Sequence, residues 1–131
     1  MKKSVKKEDS FGIILYILEL QNKKYYVGIT NNPEERFNKH ESGETLRFVN
    51  KNLPIKSIKK ALLKTTIRSE AIKLENKTTI ELIEKHGIAN ISGGVFTGDF
   101  HDRIQKFKTY FNRLNSEVEV TFADYMDNYA E

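Results

Sequence analysis

Residues 12–20 are almost continuously apolar, and a second short run rich in Tyr, Val and Ile follows at residues 24–29, with the polar link "QNK" between them. Two such runs joined by a short polar link predict a β-hairpin. A strand that is apolar on both faces belongs in the middle of a sheet covered on both sides. Alternation then puts Ile14, Tyr16 and Leu18 on one face and Ile13, Leu15 and Ile17 on the other. The next boundary is sharp. Asn32 suits a helix N-cap, Pro33 the first helical position, and Glu35 stands three residues past the cap. The spacing predicts a helix over residues 33–41 that stops near Gly43, with Arg36 and His40 one turn apart on the same face and Phe37 as its apolar anchor.

Further along, Pro54 interrupts the pattern and a lysine-rich segment follows, which predicts a loop and then a third strand at about residues 56–64, although "SIKKALLK" also has helical character. Ser69 is placed to cap a helix running to His86, with Gly87 as its stop. One face of that helix collects Ala71, Ile72, Glu75, Asn76, Thr79, Leu82, Ile83 and His86, whereas Glu70, Lys73, Lys77, Glu81 and Glu84 take the other. Glu75 therefore falls in the middle of the apolar stripe, where an uncompensated carboxylate costs several kcal/mol. After the glycine-rich turn "NISGGVFTGD", an amphipathic helix is predicted from Phe100 to Asn115 with Ile104, Phe107, Phe111 and Leu114 as its stripe. The predicted fold class is α/β (α+β), a three-stranded, mainly antiparallel sheet flanked by helices.

The 131 residues suffice for one domain, in which residues 1–10 read as a basic N-terminal arm, 11–95 as the core, and 96–131 as a C-terminal helix and acidic tail. The absence of cysteine excludes disulfides, thiolate zinc sites and a cysteine nucleophile, and makes a reducing cytoplasm the default location. No apolar stretch reaches bilayer length, so no membrane partner is expected, and the acids around the first apolar run make it a strand and not a signal peptide. The formal net charge of +4 conceals an asymmetry: all 22 Lys and Arg lie before Leu114, and five acids with no base follow. A basic body suits a polyphosphate partner, because each neutralised phosphate releases condensed counterions. A solvated lysine-rich surface accounts for the same composition.

Four stretches together carry chemistry: Ile14-Leu15-Tyr16, Tyr26-Val27-Gly28, "NNPEERFNKH" with Arg36 and His40, and "LEN" around Glu75, with Asn90 in "IANISGG" beyond them. This constellation resembles the GIY-YIG nuclease family over residues 12–94, with Ile14 in place of the first glycine of the family's name motif. Taken singly, the tyrosines fit ordinary strand aromatics, Arg36 and His40 an exposed helix face, and Glu75 a structural ion pair. The resemblance implies a stand-alone endonuclease that hydrolyses DNA with a divalent metal, Mg²⁺ or Mn²⁺. A catalytically silent nucleic-acid-binding module of the same fold is the alternative. Mg²⁺ binds through as few as one carboxylate, so Glu75 alone could hold it. Arg36 would clamp phosphate, and His40 would accept a proton or hydrogen-bond the nucleophile. The resemblance further implies that Tyr16 orients or deprotonates the attacking water, Tyr26 positions the scissile phosphate, and Asn90 ties its turn to the site, while Gly28 permits close approach. Lys24, Lys56, Lys59 and Lys60 are candidates for phosphate contacts outside the centre. One set of such residues cuts one strand per encounter, so a double-strand break would require a homodimer or two events.

Overall fold

The hairpin forms as the apolar runs predict. Strand β1 (Ile13–Glu19) and strand β2 (Tyr25–Thr30) pair antiparallel, with Tyr16 opposite Gly28 and Leu18 opposite Tyr26. The computed structural model describes residues 12–114; the basic arm at residues 1–10 and the acidic tail after Leu114 lie outside the described residues. Strand β3 (Ser57–Leu63) adds antiparallel to the other side of β1, with Lys60 opposite Tyr16. The strand reading of "SIKKALLK" is thus the correct one.

The sheet has four strands and not three. Strand β4 (Ile91–Gly93) pairs parallel with β2, Tyr26 lying beside Ser92, and gives the order β3-β1-β2-β4. It occupies the segment that reads as a glycine-rich turn, since three residues are too few to display a period of two. The other two pairings are antiparallel. β1 therefore occupies the central position that its two apolar faces require.

Helix α1 (Pro33–Glu41) begins where expected: the Asn32 side chain accepts the Glu35 N–H at 3.3 Å and donates to the Glu35 carboxylate at 3.2 Å. A four-residue helix α2 (Arg47–Asn50), not foreseen in the sequence, follows in the connection to β3. Helix α3 runs Arg68–His86, ends at Gly87 with φ +90°, and corrects the expected cap. Ile67 holds the N-cap position without a side-chain bond, and Ser69 lies inside the first turn. Instead Thr65 accepts the Ile67 N–H at 3.0 Å and donates to Glu70, organising the entry two residues early. Helix α4 (Phe100–Leu114) is the last of the described elements.

Two apolar clusters sandwich the sheet. On one face Tyr16, Leu18, Leu20 and Tyr26 pack with Val49 and with half-buried Phe37 and Phe48. On the other, Ile80 and Ile83 of α3 meet Ile88, Ile91, Phe96 and Phe107, with Tyr25 against them. Leu18, Leu20, Ile83 and Ile91 are fully withdrawn from water, which stabilises by about 1.5–3 kcal/mol for each relative to exposure. Because successive β2 side chains alternate, Tyr25 goes to the α3 face and Tyr26 to the α1 face. Tyr25 stacks on His86 at 4.6 Å, which gives that histidine a packing role.

Candidate active site

The α1 face of the sheet brings together Tyr16 from the centre of β1, Tyr26 from β2, and Arg36 and His40 from α1. Tyr16 is 1 % exposed and His40 fully buried. The Tyr16 hydroxyl lies 2.8 Å from His40 Nε2, and Arg36 Nε donates to the same hydroxyl at 3.4 Å. The Tyr26 and His40 rings meet edge to face at 5.4 Å, and Phe37 closes on Tyr16 at 5.1 Å. These contacts follow from local rules. Arg36 and His40 share a face because they are four apart on α1, and Tyr16 reaches both because its cross-strand neighbour is Gly28. A Cβ at position 28 would stand 2.5 Å from the Tyr16 hydroxyl oxygen and 2.6 Å from Cζ. The close approach at Gly28 is thus that of the Tyr16 ring.

Burial and then the neighbouring Tyr26 lift the Tyr16 phenol well above its ordinary range, so it keeps its proton at neutral pH. Burial raises Tyr26 as well, against the pull of Arg36. His40 moves in the opposite direction: burial, reinforced by the Arg36 charge, lowers it from 6.5 to about 4. At neutral pH the imidazole is uncharged and carries one N–H. Its Nδ1 lies 2.7 Å from Thr45 Oγ1. An arrangement satisfying every group has Nδ1–H donating to Thr45, Nε2 accepting from Tyr16, and the Tyr16 oxygen accepting from Arg36.

Glu75 sits on α3 between Ala71 and Thr79, both fully buried, but is itself only half-buried, at the rim of the stripe and not in its middle. Burial raises its carboxyl, while the Arg68 charge, the Gly94 N–H and the Arg36 charge pull it down. The charges of Glu75 also act on Tyr16 and Tyr26, so one electrostatic environment joins the carboxylate to the tyrosines and the arginine. No group of three or more His, Asp or Glu that could hold a metal occurs among the described residues. The donor chemistry fits a cation bound through the single Glu75 carboxylate with water and substrate oxygens completing its shell, and does not fit an all-protein cage.

The other predicted residues divide. Lys60, opposite Tyr16, reaches over the Phe37 ring at 5.7 Å on the site face. Lys59, opposite Ile17, belongs to the other face, and Lys56 precedes β3. Asn90 does not bond the tyrosine cluster: its Nδ2 donates to the His86 carbonyl at 2.8 Å, and its Oδ1 accepts from Lys24 at 2.8 Å. Thr45 and the Gly94 N–H, which steady His40 and Glu75, were not anticipated, since a loop residue that acts through its position leaves no period or spacing in the sequence. A family model described as the GIY-YIG catalytic domain matches residues 12–88. No curated protein and no solved structure matches the chain significantly.

Proposed function

The chain belongs to the GIY-YIG family of nucleases, and on that premise we propose that it is a divalent-metal-dependent endonuclease that hydrolyses phosphodiester bonds of DNA. The observation that carries this reading is the buried Tyr16–His40 hydrogen bond at 2.8 Å with Arg36 beside it. It couples a phenol to a neutral base at the edge of a cationic site, which a silent binding module has no use for.

Phosphodiester hydrolysis requires a proton acceptor for water and a counter-charge for the phosphate. As water attacks phosphorus, its proton passes to the Tyr16 oxygen while the Tyr16 proton passes to His40 Nε2. The tyrosine ends neutral and the histidine ends as imidazolium. Thr45 holds the imidazole in the tautomer that leaves Nε2 free to accept. Arg36 faces the phosphate with a permanent charge, and Tyr26, within reach of Arg36, orients it. A metal held by Glu75 would polarise the phosphate and stabilise the charge on the leaving oxygen.

Supercoiled plasmid and branched oligonucleotides incubated with the protein, with and without Mg²⁺, test the proposal. Metal-dependent nicking is the expected result. Salt-dependent binding without cutting at any metal would refute the catalytic reading and leave a binding module.

A further inference from the structure

A cavity of about 920 Å³ opens between α2, β4 and the start of α4, within the usual size range of ligand pockets. Lys24, Arg47, Lys51 and Arg103 line it, and Asp99 is its one carboxylate. Asp99 is occupied in capping α4, where it accepts the Asp102 N–H at 2.9 Å. Among the described residues the sole ion pair is Lys39 with Glu35, so none of the cavity's four cations has a carboxylate in contact.

Arg103 is the unusual member. It is 4 % exposed, and its guanidinium donates to the carbonyls of Gly98 at 3.1 Å, Ala89 at 3.2 Å and Ile88 at 3.5 Å. It also lies over the Phe48 ring at 4.8 Å and near Phe100 at 5.8 Å. Its Nε is buried with no hydrogen-bond partner among the described residues. A structural strut tying the 88–98 turn to α4 would explain the three carbonyl bonds. It would not explain an orphaned donor, nor three further cations around the same space. Burial, then the charges of Arg103 and Lys51, depress the Lys24 ammonium, and burial lowers Arg103 against the opposing charge of Asp99.

The cavity lies on the same face of the sheet as the Tyr16–His40 site, and neighbours of that site form part of its wall. Lys24 is extended and precedes Tyr26 by two positions, so the two share a face about 7 Å apart. Ser92, beside Tyr26 in the sheet, is part of the cavity wall, and Phe48 packs against the tyrosine cluster. We propose that this cavity is a second phosphate-binding site, which takes a backbone phosphate of the strand whose scissile phosphate lies against Tyr26 and Arg36. In this role the proposal rests on the nuclease reading.

The test uses Lys24→Gln, Lys51→Gln and Arg103→Lys in the full chain, with Lys73→Gln on the exposed face of α3 as a control. Duplex affinity across a salt series should lose about 0.9 from its log–log slope in Lys24→Gln and in Lys51→Gln, each of which removes a charge, and in all three variants KM for cutting should rise several-fold more than kcat falls. Duplexes with a neutral methylphosphonate at single positions should reveal one sensitive phosphate near the cut in wild type, and none there in Lys24→Gln. Salt slopes and KM values equal to the control's in all three variants would overturn the proposal. If wild type neither binds nor cuts DNA, the nuclease reading fails by itself. Inorganic phosphate and a mononucleotide then decide: amide shifts at Ala89 and Gly98 that vanish in Lys24→Gln sustain the site, and their absence from wild type refutes it.

Discussion

The charge state of His40 should be visible in folding stability before any substrate is added. The folded chain keeps the imidazole neutral until about pH 4, whereas the unfolded chain protonates it near 6.5. Between these values the unfolded state binds a proton that the folded state refuses, so stability falls as pH falls. The contribution is fully present above pH 6.5 and gone below about 4. At about 1.36 kcal/mol per pH unit, the window is worth roughly 3 kcal/mol, a large share of the ~5–15 kcal/mol that holds a domain together. Burial supplies most of the shift and is undiminished by salt; the Arg36 part is the smaller.

Urea unfolding from about pH 4 to 7.5 measures the slope, and His40→Gln isolates it. Other titrating groups, including Glu75 whose raised carboxyl acts with the opposite sign, cancel in the difference between the two proteins. The wild type should lose ~3 kcal/mol more than the variant over the window. Parallel profiles, or an imidazole that titrates by NMR near 6.5 in the folded chain, would show that His40 is not held neutral by its surroundings. The same shift places the acid limb of kcat/KM near the low folded value and not near 6.5, because that limb reports the free enzyme's base.

Three further outcomes follow from the site. Glu75→Gln should lower cutting by several orders of magnitude while DNA affinity holds or rises; the half-buried carboxylate has no ion pair among the described residues, so stability without metal should stay level or improve, and a stable variant that cuts at the wild-type rate would sink the assignment. Gly28→Ala drives a methyl into the buried Tyr16 ring at 2.5–2.6 Å, which should cost about 1–3 kcal/mol and remove cutting with it; an unchanged melting temperature with full activity would contradict the packing. Thr45→Val leaves His40 Nδ1 without its partner at 2.7 Å, for an expected loss of about 1–3 kcal/mol and of activity, both recovered in Thr45→Ser; equal behaviour of the two variants would refute the tautomer role.

What could be read from the sequence was what local rules encode. The β1–β2 hairpin shows in adjacent apolar runs, and α1 shows in Asn32, Pro33 and Glu35, because caps and periods act over a few residues. With these in place, Tyr16 had to approach α1, and Arg36 and His40 had to share a face. β4 escaped because its three residues pair in parallel with a strand over sixty positions away, a contact that no short-range pattern announces. The Ser69 cap failed because Thr65 starts the helical turn earlier. Asn90 bonds Lys24 and not the tyrosines because the turn at residues 88–90 leads into β4, whose register sets Ile91 opposite Tyr25 and so brings Asn90 beside Lys24. Arg103 looks like any surface arginine in "HDRIQKF". Only the folded chain reveals that it is buried.

The acid–base pair at the centre is suppressed at rest by two causes that substrate does not treat alike. Burial and the Arg36 charge together hold His40 neutral and a poor base, and burial likewise locks the proton on Tyr16. A phosphate bound against Arg36 cancels the second cause and leaves the first, so the imidazole becomes more basic when the group to be hydrolysed arrives. A phenol that already donates to Nε2 at 2.8 Å then needs no rearrangement to pass its proton on. In the proposed mechanism Arg36 thus has two connected duties: its guanidinium binds the phosphate, and by doing so it stops opposing the base one turn away on the same helix.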